Sequence, residues 1–193
     1  MLGLLFAVAA AQTAGAGPAQ NTIEGLNVVA PKMVAELRVM PHAACLDAKR
    51  DFSIPPPKIV STFPQRGAVV RPGVLLVRIT FDRPMTCAGF LQEDQPLLDP
   101  CSPKLQTFVL SFDRRTVRTI CVAAPKSHFG LWLNRGAPGP ALFQSLAGWT
   151  PTSYELTFST SDEPLATSVR DALVQDPESR KRLGAASSST PRP

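Results

Sequence analysis

The chain has 193 residues, of which 20 are proline, 12 are glycine and 7% are aromatic, and its formal net charge is +5. This length fits one ordinary domain with tails and is too short for two full domains. The many prolines and few aromatic residues predict a loop-rich protein with disordered ends. Basic residues outnumber acidic ones by eleven to six between Lys58 and Thr160. No run of Lys and Arg interleaved with aromatic residues marks a nucleic-acid surface, so we expect no nucleic-acid partner.

Residues 1–16 form an apolar run followed by small residues, as is typical of a secretory signal peptide that is removed from the mature protein. The positive charge that normally precedes such a run is absent, because the first basic residue is Lys32. The run is far shorter than the ~20 residues that cross a bilayer, so no transmembrane segment is predicted. We therefore expect a periplasmic or secreted protein.

Four cysteines, Cys45, Cys87, Cys101 and Cys121, form an even set, which in an exported chain indicates two disulfides. Three pairings are possible. We favour Cys87 with Cys101, because both lie in one predicted loop and a bridge that clamps it would contribute ~3 kcal/mol. Cys45 would then bond to Cys121 and tie the N-terminal segment to a strand.

The N-terminal part, residues 17–56, shows brief apolar clusters without a sustained period and is predicted as a partly disordered extension. Pro55-Pro56-Pro57 forms a stiff spacer that marks the start of the folded domain, residues 57–160. The first predicted strand is Lys58–Phe63. Turns follow at residues 64–67 and 71–73, where proline and glycine occupy positions that favour them.

The strongest strand pattern in the chain is VLLVRITF, Val74–Phe81. Alternation places Leu75, Val77, Ile79 and Phe81 on one face and Leu76, Arg78 and Thr80 on the other. This pattern predicts a half-buried strand whose apolar face packs against further antiparallel strands in a two-layer interior.

A recognisable pattern lies in residues 55–85, PPPKIVSTFPQRGAVVRPGVLLVRITFDRPM. It begins with an approximate Pro-x-Val-x-Ser-x-x-Pro, continues with a glycine turn and a strand, and ends with Thr-Phe-Asp-x-Pro-Met. This stretch resembles the opening of bacterial immunoglobulin-like domains of the surface-layer-protein type. The resemblance extends loosely to Thr160 and implies an all-β, immunoglobulin-like antiparallel β-sandwich of seven strands. It also implies a module of an exported cell-surface or secreted protein without catalysis of its own. Pro84 is expected to end strand pairing and Met85 to fill the bottom of the core.

After Met85 the chain departs from this pattern, and residues 85–104 are predicted as a loop. Leu105–Phe112 and Thr116–Ala123 alternate again and predict a hairpin, with Phe108, Leu110 and Phe112 facing the interior. The remaining strand patterns are Ser127–Asn134, with Phe129, Leu131 and Leu133 on one face, and Ser153–Thr160, with Tyr154, Leu156 and Phe158 pointing inward. Between them, residues 143–149 are predicted to form an irregular crossover that packs Phe143, Leu146 and Trp149.

Residues 161–183 predict a C-terminal helical segment, because Leu165, Val169, Leu173 and Val174 recur at helical spacing. Residues 161–164 are the expected N-terminal cap, since acidic residues and proline are favourable in a first turn. Residues 184–193 are too small and polar to fold and are expected to be disordered.

A possible ligand face is formed by Trp132, His128 and Arg135, because alternation places Trp132 and His128 opposite the apolar face of their strand. Trp132 either fills a groove at the edge of the sheets or lies exposed. Together with Trp149 and Tyr154, it could instead form a sugar-stacking surface, for which core packing is the competing interpretation.

No metal site or cofactor is predicted. His42 and Cys45 have ligand-like spacing, but a site would need distant residues such as His128 or Cys121, and structural zinc usually shows paired ligands at both ends. Five loop carboxylates are the candidates for glycosidase chemistry: Asp82, Glu93, Asp94, Asp99 and Asp113. Three of them, Glu93, Asp94 and Asp99, lie within seven positions and are the candidates for calcium. They lack an EF-hand spacing, and turn or loop positions explain each of them singly.

The sequence therefore predicts a non-catalytic module with a structural or protein-interaction role in the cell envelope, with envelope proteins or cell-wall glycan as partners. One alternative is a glycan- or peptidoglycan-binding module that uses Trp132 and the basic surface. The other is a small periplasmic hydrolase built from the loops around residues 87–101 and 134–149. No oligomeric state is predicted.

Overall fold

The structure, a computed structural model, describes residues 43–86, 91–93, 101, 108–135 and 143–181, with residues 91–93 given by their backbone alone. The predicted signal peptide and the C-terminal tail, residues 184–193, lie outside these ranges. The elements in chain order are β1 Ile59–Phe63, β2 Ala68–Val70, β3 Gly73–Phe81, β4 Leu91–Glu93, β5 Val109–Leu110, β6 Thr116–Ala123, β7 His128–Leu133, β8 Tyr154–Thr160 and α1 Val169–Gln175. Residues 177–181 are also helical.

The strands form two four-stranded sheets, which confirms an all-β fold. The first sheet has the order β1-β3-β6-β5 and the second has the order β2-β8-β7-β4. Neighbouring strands are antiparallel except for β2 and β8, which run parallel, so the expectation of a purely antiparallel arrangement is wrong. The short strand β2 was not predicted, because its three residues lie between two turn patterns.

β3 lies inside the first sheet, between β1 and β6, and the predicted side-chain alternation is confirmed. Leu75, Val77, Ile79 and Phe81 belong to the main core together with residues from both sheets, and Met85 is fully buried there as expected. The half-buried strand is nevertheless a wrong prediction, because the opposite face is covered as well. Val74 and Leu76 are both fully buried, and Arg78 is only 6% exposed.

The C-terminal segment, which contains α1, packs on the outer face of β3. Val74, Leu76, Val109 and Ile120 form a second apolar cluster with Ala166, Val169 and Ala172. The approach is close at Gly73, which has φ +96° and whose absent Cβ would lie 2.2 Å from the carbonyl oxygen of Ala166. The backbones bond at the same point, since the Val74 N–H donates to Ala166 O at 2.8 Å. Small side chains on both partners let the segment lie directly on the sheet.

α1 begins later than the sequence predicts. Ser168 is its N-cap and forms a capping box with Asp171, so the predicted cap at residues 161–164 is wrong. Leu165 and Val174 are 40% and 45% exposed. The buried stripe of this region contains Val169, Ala172, Asp176 and Ser179. Because Asp176 and Ser179 are polar, the spacing of large apolar residues does not reveal this stripe.

Two further strand predictions need correction. The predicted loop at residues 85–104 contains β4, which pairs with β7. The predicted strand Leu105–Phe112 is described only from residue 108, where β5 comprises Val109–Leu110. Phe112 is 72% exposed instead of buried, because the turn begins at Ser111, whose carbonyl accepts a hydrogen bond from the Arg114 N–H. In contrast, β6 has the predicted bounds, and the inward residues of β7 and β8 are confirmed.

The favoured disulfide pairing is wrong. Cys101 bonds to Cys121, and both residues are buried in the main core. Cys45 is also disulfide-bonded, while Cys87 lies outside the described residues. Cys121 is opposite Leu75 on β3. The Ala43 N–H of the N-terminal segment donates to Leu110 O, and Leu110 is opposite Val117, four residues before Cys121 on β6. Cys45 is therefore held near the other end of the strand from Cys121.

Residues 43–52 are ordered by backbone contacts. The Lys49 N–H donates to Leu146 O at 2.8 Å, and the Asp51 N–H donates to Ala147 O at 3.1 Å. The indole Nε1–H of Trp149 donates to Asp51 O at 2.8 Å, and the ring packs edge-on against Phe52. The predicted crossover at residues 143–149 thus packs Phe143 in the core, while Trp149 holds the N-terminal segment.

Candidate functional site

The outer face of the second sheet carries the side chains that the sequence singled out as a ligand face. Because Phe129, Leu131 and Leu133 point into the core, His128, Gly130 and Trp132 point outward from β7. Register pairs Trp132 with Glu155 on β8 and His128 with Ser159. The face therefore presents aromatic and polar side chains on two adjacent strands.

Trp132 and Arg135 are in contact. The guanidinium carbon of Arg135 lies 5.0 Å from the centroid of the Trp132 ring, within the range of a cation–π interaction. The chain turns between them at Asn134, which has φ +56°, a region that Asn tolerates better than most residues. The Asn134 side chain fixes this turn, since its Oδ1 accepts from the Phe143 N–H at 2.8 Å and its Nδ2 donates to Phe143 O at 3.2 Å.

A second arginine lies over the neighbouring aromatic residue. The Arg66 guanidinium carbon is 5.5 Å from the Tyr154 ring centroid, and its Nη2 is 3.8 Å from Glu155 Oε2. Tyr154 is opposite Leu133 and packs against the main core, so it does not share the outer face with Trp132 and Glu155. We call Trp132, Arg135, Arg66 and Glu155 the β7–β8 platform. Aromatic surfaces flanked by guanidinium groups can stack on sugar rings and attract anionic groups.

His128 lies apart from this platform. It is on the same face of β7, but four residues separate it from Trp132, which corresponds to roughly 13 Å along a strand. Its Nδ1 is 2.8 Å from Ser159 Oγ. The structure thus brings together Trp132 and Arg135 and does not bring His128 to them.

The carboxylates that the sequence offered for catalysis or metal binding occupy turns or lie outside the described residues. Asp82 accepts hydrogen bonds from Arg83 and from the Lys58 N–H, and the Arg83 hydrogen bond is the main reason that its pKa is lowered to about 2. Asp113 accepts from the Arg115 N–H. Asp94, Asp99 and His42 lie outside the described ranges, as does the Glu93 side chain. Within those ranges, no group of three His, Cys, Asp or Glu residues is placed to hold a metal ion.

A buried ion-pair network was missed by the sequence analysis. Arg78 donates from Nε and Nη2 to the two carboxylate oxygens of Asp176, at 2.9 and 3.1 Å. Its Nη1 is 2.9 Å from Glu178 Oε2 and donates to Ser61 Oγ at 3.1 Å. One feature of the sequence could have indicated it: Val74 and Leu76, on the outer face of β3, are large apolar residues, so another element must cover that face.

The Asp176 carboxylate is fully buried, so burial acts to raise its pKa. The hydrogen bonds from Arg78 and from Ser179, together with the attraction of the positive charge of Arg78, outweigh burial and leave the pKa lowered. The same carboxylate accepts from the Ser179 hydroxyl at 2.7 Å and from the Ser179 N–H at 3.3 Å. One side chain thus joins β3 to the helical turn of residues 177–181.

A groove with a volume of about 570 Å³ lies beside this network. It is lined by β2 and the turn before it, by Arg78 of β3, and by the end of α1 with Pro177 and Glu178. Its volume is within the range of ligand pockets, ~300–1,000 Å³.

Comparisons with protein-family models, with curated proteins and with solved structures found no match to this chain. The proposals below therefore depend on its own residues.

Proposed function

We propose that the chain is a non-catalytic, immunoglobulin-like β-sandwich module with a structural or protein-interaction role in the cell envelope. The observation that carries this proposal is the order of the strands. The order β1-β3-β6-β5 corresponds to strands A, B, E and D of an immunoglobulin domain, and β8-β7-β4 corresponds to strands G, F and C. In this assignment β2 continues the first strand and crosses to the second sheet. The resemblance of residues 55–85 to surface-layer-type domains supports the same proposal from the sequence.

The disulfides support an exported location. Cys101–Cys121 and the bridge of Cys45 are compatible with an oxidising compartment, where such bonds form and persist. None of the helices in the described ranges has the length and apolar character that a membrane span requires. We propose a periplasmic or secreted protein, and the signal-like residues 1–16 are the segment whose removal would accompany export.

Glycan or peptidoglycan binding is the second candidate function, and the β7–β8 platform favours it. Trp132 is only half-buried on an outward face, and Gly130 on the same face has no side chain to cover it. Arg66 is exposed and Arg135 is exposed. An exposed indole face with two guanidinium groups on the same sheet suits a sugar polymer that carries carboxylates.

Export and bridging are tested by intact mass of the protein from the periplasm and the medium, with and without reductant. We expect loss of the N-terminal segment and a gain of about four hydrogens in mass on reduction, two for each disulfide. Retention of residues 1–16 together with four free thiols would contradict the proposed location.

Glycan binding is tested by sedimentation with isolated cell wall at low and high salt. If the platform binds glycan, Trp132→Ala should abolish a retention that survives at high salt. Phe112→Ala is the matched control, because Phe112 is an exposed aromatic residue of the first sheet's turn and should leave retention unchanged. Equal retention of all three proteins would reject the platform as the glycan site, and the structural role would then remain the proposal.

A further inference from the structure

The two large apolar side chains with the greatest exposure in the described ranges are phenylalanines, and both belong to the same end of the sandwich. Phe52 is 75% exposed and Phe112 is 72% exposed. Phe112 lies in the turn between β5 and β6, at the end of the first sheet where β3 ends and β1 begins. Exposed apolar residues scattered singly are ordinary on a protein surface, but two exposed phenylalanines at one end indicate a contact surface.

Backbone hydrogen bonds join the segments that carry the two phenylalanines. The Lys49 N–H donates to Leu146 O at 2.8 Å, and the Leu146 N–H donates to Pro84 O at 3.1 Å. The next residue, Met85, donates its N–H to Arg114 O at 2.8 Å. We call residues 43–58, 82–86, 111–116 and 143–149 the aromatic end, and two further exposed apolar residues belong to it, Leu46 and Ile54.

Both phenylalanines project from turns. Asp51 and Ser53 flank the first, and Asp51 Oδ1 accepts from the Ser53 N–H at 2.9 Å and from the Ser53 hydroxyl at 2.7 Å. Asp113 follows the second and accepts from the Arg115 N–H at 3.1 Å. Small molecules and peptides are usually bound in concave sites or grooves, whereas projecting rings can enter a fluid surface that deforms around them.

The charges of the aromatic end favour an anionic surface. Six of its residues are basic and four are acidic, so its net charge is positive with every carboxylate counted. Lys49, Arg50 and Arg115 are exposed, and none of them forms an ion pair within the part of the chain that the structure describes. The Arg50 guanidinium carbon lies 5.9 Å from the Phe52 ring centroid. Cations beside exposed apolar side chains are the combination that binds an anionic bilayer.

We propose that the aromatic end binds peripherally to the surface of a lipid bilayer with anionic headgroups. Phe52 and Phe112 enter the boundary between headgroups and acyl chains, and the exposed cations stay at the level of the lipid phosphates. Binding is reversible, because few apolar side chains are inserted. This inference goes beyond the proposed function and uses none of the residues of the β7–β8 platform, so either proposal can fail without the other.

The test is sedimentation of the whole protein with vesicles of phosphatidylglycerol and phosphatidylcholine in equal parts, and with vesicles of phosphatidylcholine alone. We expect binding to the anionic vesicles that weakens at high salt, and at least tenfold weaker binding to the neutral ones. Phe112→Ser and Phe52→Ser should each weaken binding by about tenfold. Arg115→Gln should weaken it by about fivefold, and only on anionic vesicles.

Tryptophan fluorescence places the contact. Trp149 packs edge-on against Phe52, and a Trp132→Phe variant leaves Trp149 as the one indole of the chain. Its emission should shift to shorter wavelength when anionic vesicles are added, because the indole then approaches the bilayer.

Two exposed residues outside the aromatic end provide matched controls. Val69→Ser makes an apolar loss on β2, and Arg170→Gln removes a positive charge from α1. Both should leave vesicle binding within about twofold of the wild type, as should Trp132→Phe. The absence of binding, equal affinity for neutral and anionic vesicles, an unshifted Trp149 emission, or equal affinity of the phenylalanine variants and their controls would each overturn the proposal. Loss of binding in Trp132→Phe would overturn it too, because the contact would then lie on the platform.

Discussion

Replacement of Asp176 by alanine tests whether the Arg78–Asp176 pair holds the C-terminal segment on the first sheet. The side chain of Asp176 is 0% exposed and that of Arg78 is 7% exposed, so the substitution leaves a guanidinium buried without its bidentate partner. Breaking a buried pair from one side costs ~3–5 kcal/mol. The loss of the Asp176 cap on the helical turn of residues 177–181 adds ~1 kcal/mol. Because Glu178 still pairs with Arg78 Nη1 in this variant, the lower end of the first range applies, and we expect a total loss of about 4 kcal/mol in the free energy of unfolding.

Urea unfolding monitored by tryptophan fluorescence measures this loss. With a slope of ~2 kcal/mol per M, the midpoint should fall by about 2 M. Asp162→Ala is the control, because Asp162 forms a surface pair with Lys126 in which both side chains are more than 70% exposed. Its midpoint should change by less than about 0.3 M, since exposed pairs contribute little.

The coupling between the two partners separates their interaction from the individual losses. The double variant Arg78→Met, Asp176→Leu removes both charges and keeps apolar volume, so its loss should be well below the sum of the single losses. Additive losses, or a loss below ~1 kcal/mol for Asp176→Ala, would refute the view that this pair holds the segment in place.

Three further predictions concern other parts of the fold. Gly73→Ala should lower the free energy of unfolding by ~3–5 kcal/mol, because its Cβ would lie 2.2 Å from the carbonyl oxygen of Ala166 at a positive φ. Gly67→Ala has open space around it and should lose only the ~1 kcal/mol of backbone strain. Similar urea midpoints for the two variants would contradict this. Cys121→Ser opens a bridge that spans 20 residues and should lower the free energy of unfolding by ~3 kcal/mol, and reductant should then have a smaller effect on the variant than on the wild type. The pKa of Asp82 is lowered to about 2 in the folded protein, so its carboxylate stabilises the fold fully above the ordinary carboxyl pKa of ~4. This contribution is lost as pH falls through about 2. Asp82→Asn should reduce the fall of the thermal midpoint over this window, and an unchanged pH profile would count against the Asp82–Arg83 pair.

Much of the strand pattern could be predicted because it is local. Alternation over Val74–Phe81 and Thr116–Ala123 is a property of consecutive side chains, and the structure has β3 and β6 at these positions. Alternation wrongly predicted that Phe112 faces the core. The turn begins at Ser111, one residue before Phe112, and ends the alternation there. Of the predicted ligand face, Trp132 and Arg135 come into contact because they are close in the chain. Glu155 is brought beside Trp132 by the pairing of β7 with β8, and Arg66 is brought to Glu155 by the pairing of β2 with β8.

The sequence by itself determined the longer extended segments, β1, β3, β6, β7 and β8, and the side chains of these strands that face the main core, since a strand's period of two is visible without any partner. It did not reveal the three-residue strands β2 and β4, which are too short to show a period. Tertiary structure alone decided what covers the other face of β3, which cysteine bonds to Cys121 and where the groove forms. Each of these depends on segments that are far apart in the chain, such as Arg78 and Asp176, 98 positions apart. A charged residue in a strand has the same local pattern whether it meets water or a buried carboxylate, so only the folded arrangement distinguishes the two.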